Sequence, residues 1–236
     1  MTERMFLENS TLTRISARVL AVTEAGIVLD RTVFYGRSGG QPGDSGVLRF
    51  AAGSAVIAEA LKGDGETILH PIAPGSTHPA TGETVEAEID WPRRHQLMRM
   101  HTALHLLCSL IPGAAVTGGS IGLDRSRLDF DLPVAPAKDA LEAGLNELIM
   151  QDYPVIAYWV DEAVLDADPG LVRTFSVKPP RGSGRVRLVR IGDRPIDLQP
   201  CGGTHVARTG EIGRMLVTKI ENKGRQNRRI IIAPAI

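Results

Sequence analysis

The sequence lacks any excess of charge and has few aromatic residues. Its 27 Lys and Arg residues balance 27 Asp and Glu residues over 236 positions. Nucleic-acid-binding domains usually show a global basic excess, so binding of that kind has to come from local patches here. Aromatic residues make up only 4% of the chain, which argues against the stacked-base platforms of single-strand-binding proteins.

Cysteines and long apolar runs are also scarce. Two cysteines, Cys108 and Cys201, cannot form a disulfide framework, and the first residues lack the basic-then-apolar pattern of a signal peptide. No apolar run approaches the roughly 18–20 residues that a membrane helix needs. We therefore expect a cytoplasmic protein without a membrane partner. The 43% of hydrophobic residues suffices for the core of one large domain or two modest ones.

The residue pattern changes near position 90. Before it, short β-branched segments separated by turn residues predict strands. After it, Asp90 as N-cap, Pro92 in the first turn and apolar residues at helical spacing predict a helix that ends near Ile111. A second helix and further strands follow, at 137–150 and at 155–160, 185–191, 215–220 and 229–233. The expected fold class is α+β, with a β-rich domain over residues 1–90 and an α+β domain over 91–236.

A dense group of glycines precedes this change. Positions 36, 39, 40, 43 and 46 are all glycine. Glycines this close together predict backbone with positive φ and a close approach of another chain segment. The alternative interpretation is a floppy hairpin loop.

Two pairs of residues are spaced to share one metal ion. His101 and His105 are four residues apart on the predicted helix, so their side chains project within roughly 40° of each other. Cys201 and His205 are also four apart, with small residues between them that allow a tight turn. Zinc favours thiolate and imidazole ligands, and one Cys with three His fits a four-coordinate site. These four residues therefore predict a zinc ion as cofactor.

The sequence excludes two familiar kinds of zinc enzyme. Segment 101–105 (HTALH) lacks the glutamate that serves zinc peptidases as general base in HExxH. Only one cysteine lies near a ligand pair, whereas zinc deaminases use paired cysteines. If all four residues ligate together, the site is closed and structural. If one is displaced, the ion can hold water or substrate. Both arrangements remain open at this point.

Five segments of the chain together resemble one protein family. Segments 101–105 and 201–205 (CGGTH) resemble the editing domain of alanyl-tRNA synthetase, which also occurs in freestanding AlaX-type proteins. Segment 34–46 resembles the glycine-rich motif before that domain, 127–131 its strand after the first helix, and 224–230 its closing segment. The residues before Tyr35 are too few for an aminoacylation domain, so the resemblance implies a freestanding trans-editing protein.

The resemblance also implies a fold and a reaction. The expected fold is a small N-terminal β-barrel, then an editing domain whose zinc-binding helix packs on an antiparallel sheet. The expected reaction is hydrolysis of the ester that joins serine, and as a second substrate glycine, to tRNA for alanine. We expect the zinc to orient the substrate and position water, because no carboxylate is an obvious base. Asp197 is a candidate base; its alternative is a solvent-facing turn residue.

Selectivity for serine over alanine predicts a polar group that stays unpaired when alanine binds. In the family, the segment after the zinc helix lines the pocket, and Thr117 falls on it. We expect Thr117 to recognise the serine hydroxyl, with Ser120 as second candidate. Gln41, in the glycine-rich motif, is expected to approach the site from the other domain. The alternative for each is an ordinary strand or turn residue.

Two basic clusters are candidate phosphate contacts for tRNA, the expected partner; no DNA partner is expected. The first comprises Lys219, Lys223, Arg225, Arg228 and Arg229, and the second comprises Arg181, Arg185, Arg187 and Arg190. Phosphate contacts of this kind are salt-sensitive and blind to base sequence. Two other functions remain possible alternatives: a non-catalytic zinc-stabilised tRNA-binding module, and a zinc hydrolase of another small ester or amide.

Overall fold

The computed structural model describes residues 2–173 and 184–235 of a mixed α and β protein. It divides into two compact units, Met1–Leu97 and Met98–Ile236. Sheets in the described part are mostly antiparallel and helices are few, which confirms the mixed fold class. No helix in this part of the chain is long and apolar enough to cross a membrane. The domain limits expected at residues 90 and 91 stay a prediction.

The first unit is built mainly of short strands. In chain order its elements are β1 (Glu3–Arg4), α1 (Met5–Glu8), β2 (Arg14–Thr23), β3 (Gly26–Leu29), β4 (Arg31–Thr32), β5 (Gly46–Phe50), β6 (Gly53–Ile57), β7 (Leu61–Lys62), β8 (Ile68–His70), β9 (Thr84–Ile89) and the first turns of α2 (Trp91–Ser109). Seven strands form one sheet in the order β6-β5-β9-β2-β3-β8-β7, and its pairings are antiparallel. This sheet is a curled half-barrel with β6 and β7 at its edges, and the complete small barrel stays a prediction.

Alternation of side chains along the strands gives this unit its core. On β9, Val85, Ala87 and Ile89 are buried while the residues between them are more exposed. Successive side chains of a strand point to opposite faces of the sheet, so one face of β9 packs inward. The strands predicted before position 90 are confirmed, among others by β2, β3 and β9.

The glycine-rich segment forms a tight turn and a close backbone contact. Gly39 and Gly40 have φ of +55° and +83°, and the backbones of Ser38 and Gln41 hydrogen-bond to each other across them. A Cβ at Gly43 would collide with the backbone carbonyl of Ala60. Positive φ and close approach are what glycine permits, so the first interpretation of this segment is confirmed over the floppy loop.

A buried ion pair joins the first turns of α2 to the glycine-rich segment. The side chains of Arg94 and Asp44 are 0% and 1% exposed. The Arg94 Nε lies 2.9 and 3.0 Å from the two carboxylate oxygens, and its two Nη atoms donate to the carbonyls of Ser10 and Val33 at 2.9 and 2.6 Å. Asp44 also accepts the backbone N–H of Tyr35 at 2.6 Å. Both charges are thus paired and hydrogen-bonded, which burial requires.

The second unit contains the rest of α2 and two antiparallel sheets. Its further elements are β10 (Ala115–Ser120), β11 (Ser126–Asp131), α3 (Lys138–Met150), β12 (Val155–Asp161), α4 (Ala163–Ala167), β13 (Arg185–Ile191), β14 (Asp197–Pro200), β15 (Met215–Asn222), β16 (Asn227–Pro234) and short 3-10 helices at Pro169–Leu171 and Thr209–Ile212. One sheet has the order β10-β11-β16-β15 and the other β12-β13-β14. The side-chain amide of Asn146 holds α3 against β15, because it donates to the Met215 carbonyl at 2.7 Å and accepts its N–H at 2.9 Å.

Local signals in the sequence locate the two main helices. The Asp90 carboxylate accepts the backbone N–H of Arg93 at 3.1 Å, as an N-cap does. On α3 the apolar stripe buries Leu141, Leu145 and Ile149. Both helices begin within one residue of the predicted positions, because capping and the 3.6-residue period are properties of neighbouring residues.

Candidate metal centre

Helix α2 supplies two of the predicted ligands. His101 and His105 lie one turn apart on it, with ring centroids 5.2 Å apart. His101 is 9% exposed and His105 is 6% exposed. Because both residues lie on one helix, its backbone fixes the positions of their Cβ atoms, and the distance between the two imidazoles depends little on loop conformation.

The segment after β14 supplies the other two ligands. It begins where the Cys201 N–H donates to the Arg187 carbonyl at 3.1 Å, one step beyond the last strand pair. The Gly203 N–H then points back at the Cys201 Sγ at 3.4 Å. This tight turn brings the His205 Nε2 to 3.3 Å from the same sulfur. The small residues between Cys201 and His205 thus permit the turn that their spacing predicts.

All four predicted ligands converge on one point. The Cys201 Sγ is 3.6 Å from the His101 Nε2, and one ligand atom from each of His101, His105, Cys201 and His205 lies within 4.8 Å of the others. In a tetrahedral zinc site with ordinary bond lengths, a sulfur and a nitrogen ligand are about 3.6 Å apart. The donor set and its spacing therefore fit a zinc ion, and the four side chains form a cluster that can hold a metal.

The ionisation of Cys201 and His205 suits a cation. Burial opposes the thiolate of Cys201, but His101 and His205 outweigh it and lower the pKa of this thiol well below its ordinary value. Burial, together with His101, lowers the pKa of His205 to about 3, so this imidazole is neutral. Burial also opposes protonation of His105, yet the hydrogen bond to Asp197 prevails and raises the pKa of His105 to about 10. A thiolate and a neutral imidazole are the forms that bind metals, so Cys201 and His205 are in these forms, whereas His105 has to lose one proton when a metal binds.

Two of the histidines have hydrogen-bond partners on the side away from the cluster. The Asp197 Oδ2 lies 2.8 Å from the His105 Nδ1 and 2.8 Å from the Gln199 Nε2. The Thr102 Oγ1 lies 3.1 Å from the His205 Nδ1. Asp197 is 4% exposed, so the alternative of a solvent-facing turn residue is wrong. Gln199 and Thr102 were not among the predicted site residues, although both lie within three residues of a predicted ligand.

Arg187 supports the turn that carries Cys201. Its Nη1 donates to the Cys201 carbonyl at 2.8 Å and to the Gly203 carbonyl at 3.1 Å. It lies on β13 between the buried residues Val186 and Leu188. Arg187 is itself buried, so its prediction as a phosphate contact is wrong. β13 carries three arginines, Arg185, Arg187 and Arg190, so its residue pattern did not single out Arg187 for this internal role.

The other predicted site residues lie on β10 and in the first unit. Thr117 is half-buried on β10, and its hydroxyl is 3.5 Å from the Asn227 Oδ1. Ser120 is exposed at the end of the same strand. Gln41 is buried in the turn of the glycine-rich segment. Their roles towards a substrate stay predictions.

Three of the five residues in the first basic cluster form ion pairs within the chain. Lys219 and Lys223 lie 2.6 and 3.0 Å from the Glu221 carboxylate, which lowers the pKa of Glu221 to about 2. Arg229 pairs with Asp129 at 2.8 Å. A fourth member, Arg228, is buried and donates to backbone carbonyls. The Arg225 side chain is exposed.

Residues of the second basic cluster also contact other groups of the chain. Arg185 lies 4.6 Å from the centre of the Trp159 ring, and the Arg190 Nη1 donates to the Asp193 carbonyl at 3.0 Å. Arg181 lies outside the described residues. Arg185 and Arg190 therefore have interaction partners within the chain.

Comparison with known proteins defines the class first. Residues 186–231 match the family described as Threonyl and Alanyl tRNA synthetase second additional domain. Residues 4–93 match the family described as tRNA synthetases class II (A). The first match contains the ligands Cys201 and His205, so the loop half of the metal centre belongs to a domain shared with these synthetases.

Similar proteins define the family more closely. The alanyl-tRNA editing protein AlaX-M of Methanosarcina mazei is 37% identical over 244 residues, which cover 98% of this chain and 95% of that protein. AlaX-M of Saccharolobus solfataricus is 33% identical over 236 residues, which cover 98% of this chain and 98% of that protein. The alanine–tRNA ligase of Pyrobaculum calidifontis is 36% identical over 93% of this chain but only 25% of the ligase. The chain belongs to the AlaX-M family of alanyl-tRNA editing proteins, as its motifs predict.

Proposed function

We propose that this protein is a zinc-dependent trans-editing hydrolase of the cytoplasm. Its substrate is tRNA for alanine that carries serine and, as a second substrate, glycine; it cleaves the ester between the amino acid and the terminal ribose. The observation that carries this proposal is the convergence of three histidines and one cysteine on a single point. The proposal is further supported by similarity over 98% of the chain to a protein named for alanyl-tRNA editing.

The chain's own residues provide the binding site for the ion. Two ligands come from one rigid helix and two from a turn that Arg187 holds by its carbonyls. Zinc held there would supply positive charge to polarise the ester carbonyl and to acidify a water molecule. The surrounding protein keeps the imidazoles away from bulk solvent, which strengthens electrostatic interactions at the site.

Thr117 is the residue we propose for selectivity. Its hydroxyl is only 3.5 Å from the Asn227 Oδ1, a long and weak contact that leaves it able to pair with another group. Paired with the serine hydroxyl, it would favour the mischarged tRNA; with alanine it would stay unpaired, which costs binding energy. Ser120 and Gln41 are second candidates for contacts to the amino acid or the terminal nucleoside.

A deacylation assay tests the proposal. Full-length protein is incubated with seryl-, glycyl- and alanyl-tRNA for alanine, with and without a zinc chelator, and ester loss is followed over time. We expect hydrolysis of the seryl ester, slower loss of the alanyl ester, and arrest by the chelator that added zinc reverses. Cys201→Ser should remove the activity, whereas Cys108→Ala, at the other cysteine, should keep it, because burial raises the pKa of Cys108 to about 12 and leaves it an inert thiol. Absence of chelator-sensitive seryl-tRNA hydrolysis would contradict the proposal.

One observation favours a second function, a non-catalytic zinc-stabilised tRNA-binding module. All four ligand atoms lie close enough to bind one ion together, and a closed four-ligand set is typical of structural zinc sites. Retained tRNA binding without turnover in the same assay would favour this alternative. Hydrolysis of small esters without any effect on aminoacyl-tRNA would instead indicate a hydrolase of another substrate.

A further inference from the structure

The two ring nitrogens of a metal-binding histidine have different roles. When Nε2 binds the metal, Nδ1 carries a proton and needs an acceptor, and that acceptor fixes the tautomer and the direction of the ring. In this cluster the Nε2 atoms of His101 and His205 face the Cys201 sulfur. The groups opposite Nδ1 therefore determine how well the ligands are oriented.

We propose that Asp197 and Thr102 are positioning residues, each of which accepts the Nδ1–H of one metal-binding histidine. Asp197 would hold His105, and Thr102 would hold His205. This role differs from that of a general base, for which Asp197 was a candidate on sequence grounds. The inference rests on the metal centre of the proposed function but not on its tRNA substrate.

The surroundings of Asp197 support acceptance from His105. Carboxylate oxygens accept hydrogen bonds, and the Asp197 Oδ2 is 2.8 Å from the His105 Nδ1. The Gln199 Nε2 lies 3.2 Å from the same ring nitrogen, but it is a donor and gives its proton to Asp197 at 2.8 Å. Asp197 is therefore the acceptor for His105. Its Oδ2 serves two N–H donors in a buried place, which leaves little capacity to take a proton from water.

The surroundings of Thr102 support acceptance from His205. A hydroxyl has one proton and two lone pairs. The Thr102 proton goes to the Met98 carbonyl at 2.9 Å, because a carbonyl can only accept. The hydroxyl oxygen therefore accepts from the His205 Nδ1 at 3.1 Å and from the Val206 N–H at 3.3 Å. This assignment leaves the His205 Nε2 with its lone pair directed at the cluster.

Metal affinity is the measurement that separates positioning from acid–base work. Zinc dissociation constants are determined by competition with a chromophoric chelator, on full-length protein without tRNA. We expect Asp197→Ala and Thr102→Val to weaken zinc binding about 10- to 100-fold, as loss of such partners does elsewhere. Asp197→Asn, which keeps an acceptor oxygen and loses the charge, should lie in between, and Thr102→Ser should restore nearly full affinity because it keeps the hydroxyl. Asp193→Ala is the matched control, since it removes an exposed carboxylate two residues after β13.

Two further measurements make the outcome decisive. Cobalt substituted for zinc should show a shifted visible absorption spectrum in Asp197→Ala and Thr102→Val, because ring orientation changes the ligand field. Circular dichroism of the metal-free variants tests whether a loss of zinc affinity comes from general unfolding. If Asp197→Ala does not fold, the near-isosteric Asp197→Asn takes its place; Thr102→Val is itself near-isosteric. Unchanged zinc affinity with lost seryl-tRNA turnover at saturating zinc would assign Asp197 to catalysis and overturn the proposal. Weakened zinc affinity, with turnover restored by excess zinc, would establish the positioning role. If the unmodified protein hydrolysed no aminoacyl-tRNA at all, the zinc affinities would still test this role.

Discussion

The buried pair of Arg94 and Asp44 makes a quantitative prediction about the stability of the first unit. Asp44→Asn keeps the shape of the side chain but removes its charge and places an amide against the guanidinium. Arg94 then remains 0% exposed without a counter-ion. Removal of one partner of a buried ion pair typically destabilises by about 3–5 kcal/mol. We expect a loss of about 4 kcal/mol in the free energy of unfolding of this unit.

The two tryptophans allow the loss to be assigned to one unit. Trp91 lies in the first unit and Trp159 in the second, so in a Trp159→Phe background fluorescence reports on the first unit alone during urea unfolding. Glu88→Gln is the control, because it breaks a pair with Arg49 whose side chains are 53% and 36% exposed. Exposed pairs contribute about 0–1 kcal/mol. If Asp44→Asn cost no more than this control, the argument from burial would be refuted.

Three further predictions concern pH, packing and selectivity. Burial lowers the pKa of His70 from 6.5 to about 4, so between these pH values the unfolded chain binds a proton that the folded chain does not. The free energy of unfolding should therefore fall by up to about 3 kcal/mol as pH drops through this window, and His70→Gln should flatten that dependence in urea titrations at pH 7 and 4.5. Gly43→Ala should lower the free energy of unfolding by about 1–3 kcal/mol in a thermal melt, because its Cβ collides with the backbone carbonyl of Ala60; an unchanged melting temperature would contradict the close approach. Thr117→Val should reduce the ratio of seryl- to alanyl-tRNA deacylation rates about fivefold, the value of one hydrogen bond, and an unchanged ratio would remove Thr117 from this role.

The sequence predicts the ligands of the metal centre because their signals are local. The four-residue spacing of His101 and His105 needs only a helix to place both rings on one side. Cys201 and His205 need only a tight turn, which the glycines between them allow. The two pairs lie far apart in the chain, but together they make up a donor set that suits one zinc ion, which predicts that the fold brings them together.

The internal role of Arg187 could not be predicted in the same way. Arginines at alternating positions of a strand usually indicate a solvated face. β13, however, is the central strand of its sheet, and its residues are buried on both sides from Val186 to Val189. Position in a sheet depends on strands elsewhere in the chain. The pattern of one strand therefore does not distinguish a phosphate contact from a support for the Cys201 turn.

Strand periodicity offers a sequence signal for Gln199 and for the orienting role of Asp197. Residues two apart on a strand share a face, so Asp197 and Gln199 on β14 lie on one side of it. The Cys201 N–H extends this ladder to the Arg187 carbonyl, which continues the alternation to the metal ligand itself. Pro200 argues against a central strand, and β14 is an edge strand. A strand assigned to 197–200 would therefore have placed a carboxylate and an amide beside the thiolate, and a carboxylate beside a metal-binding histidine is a frequent means of orienting its ring.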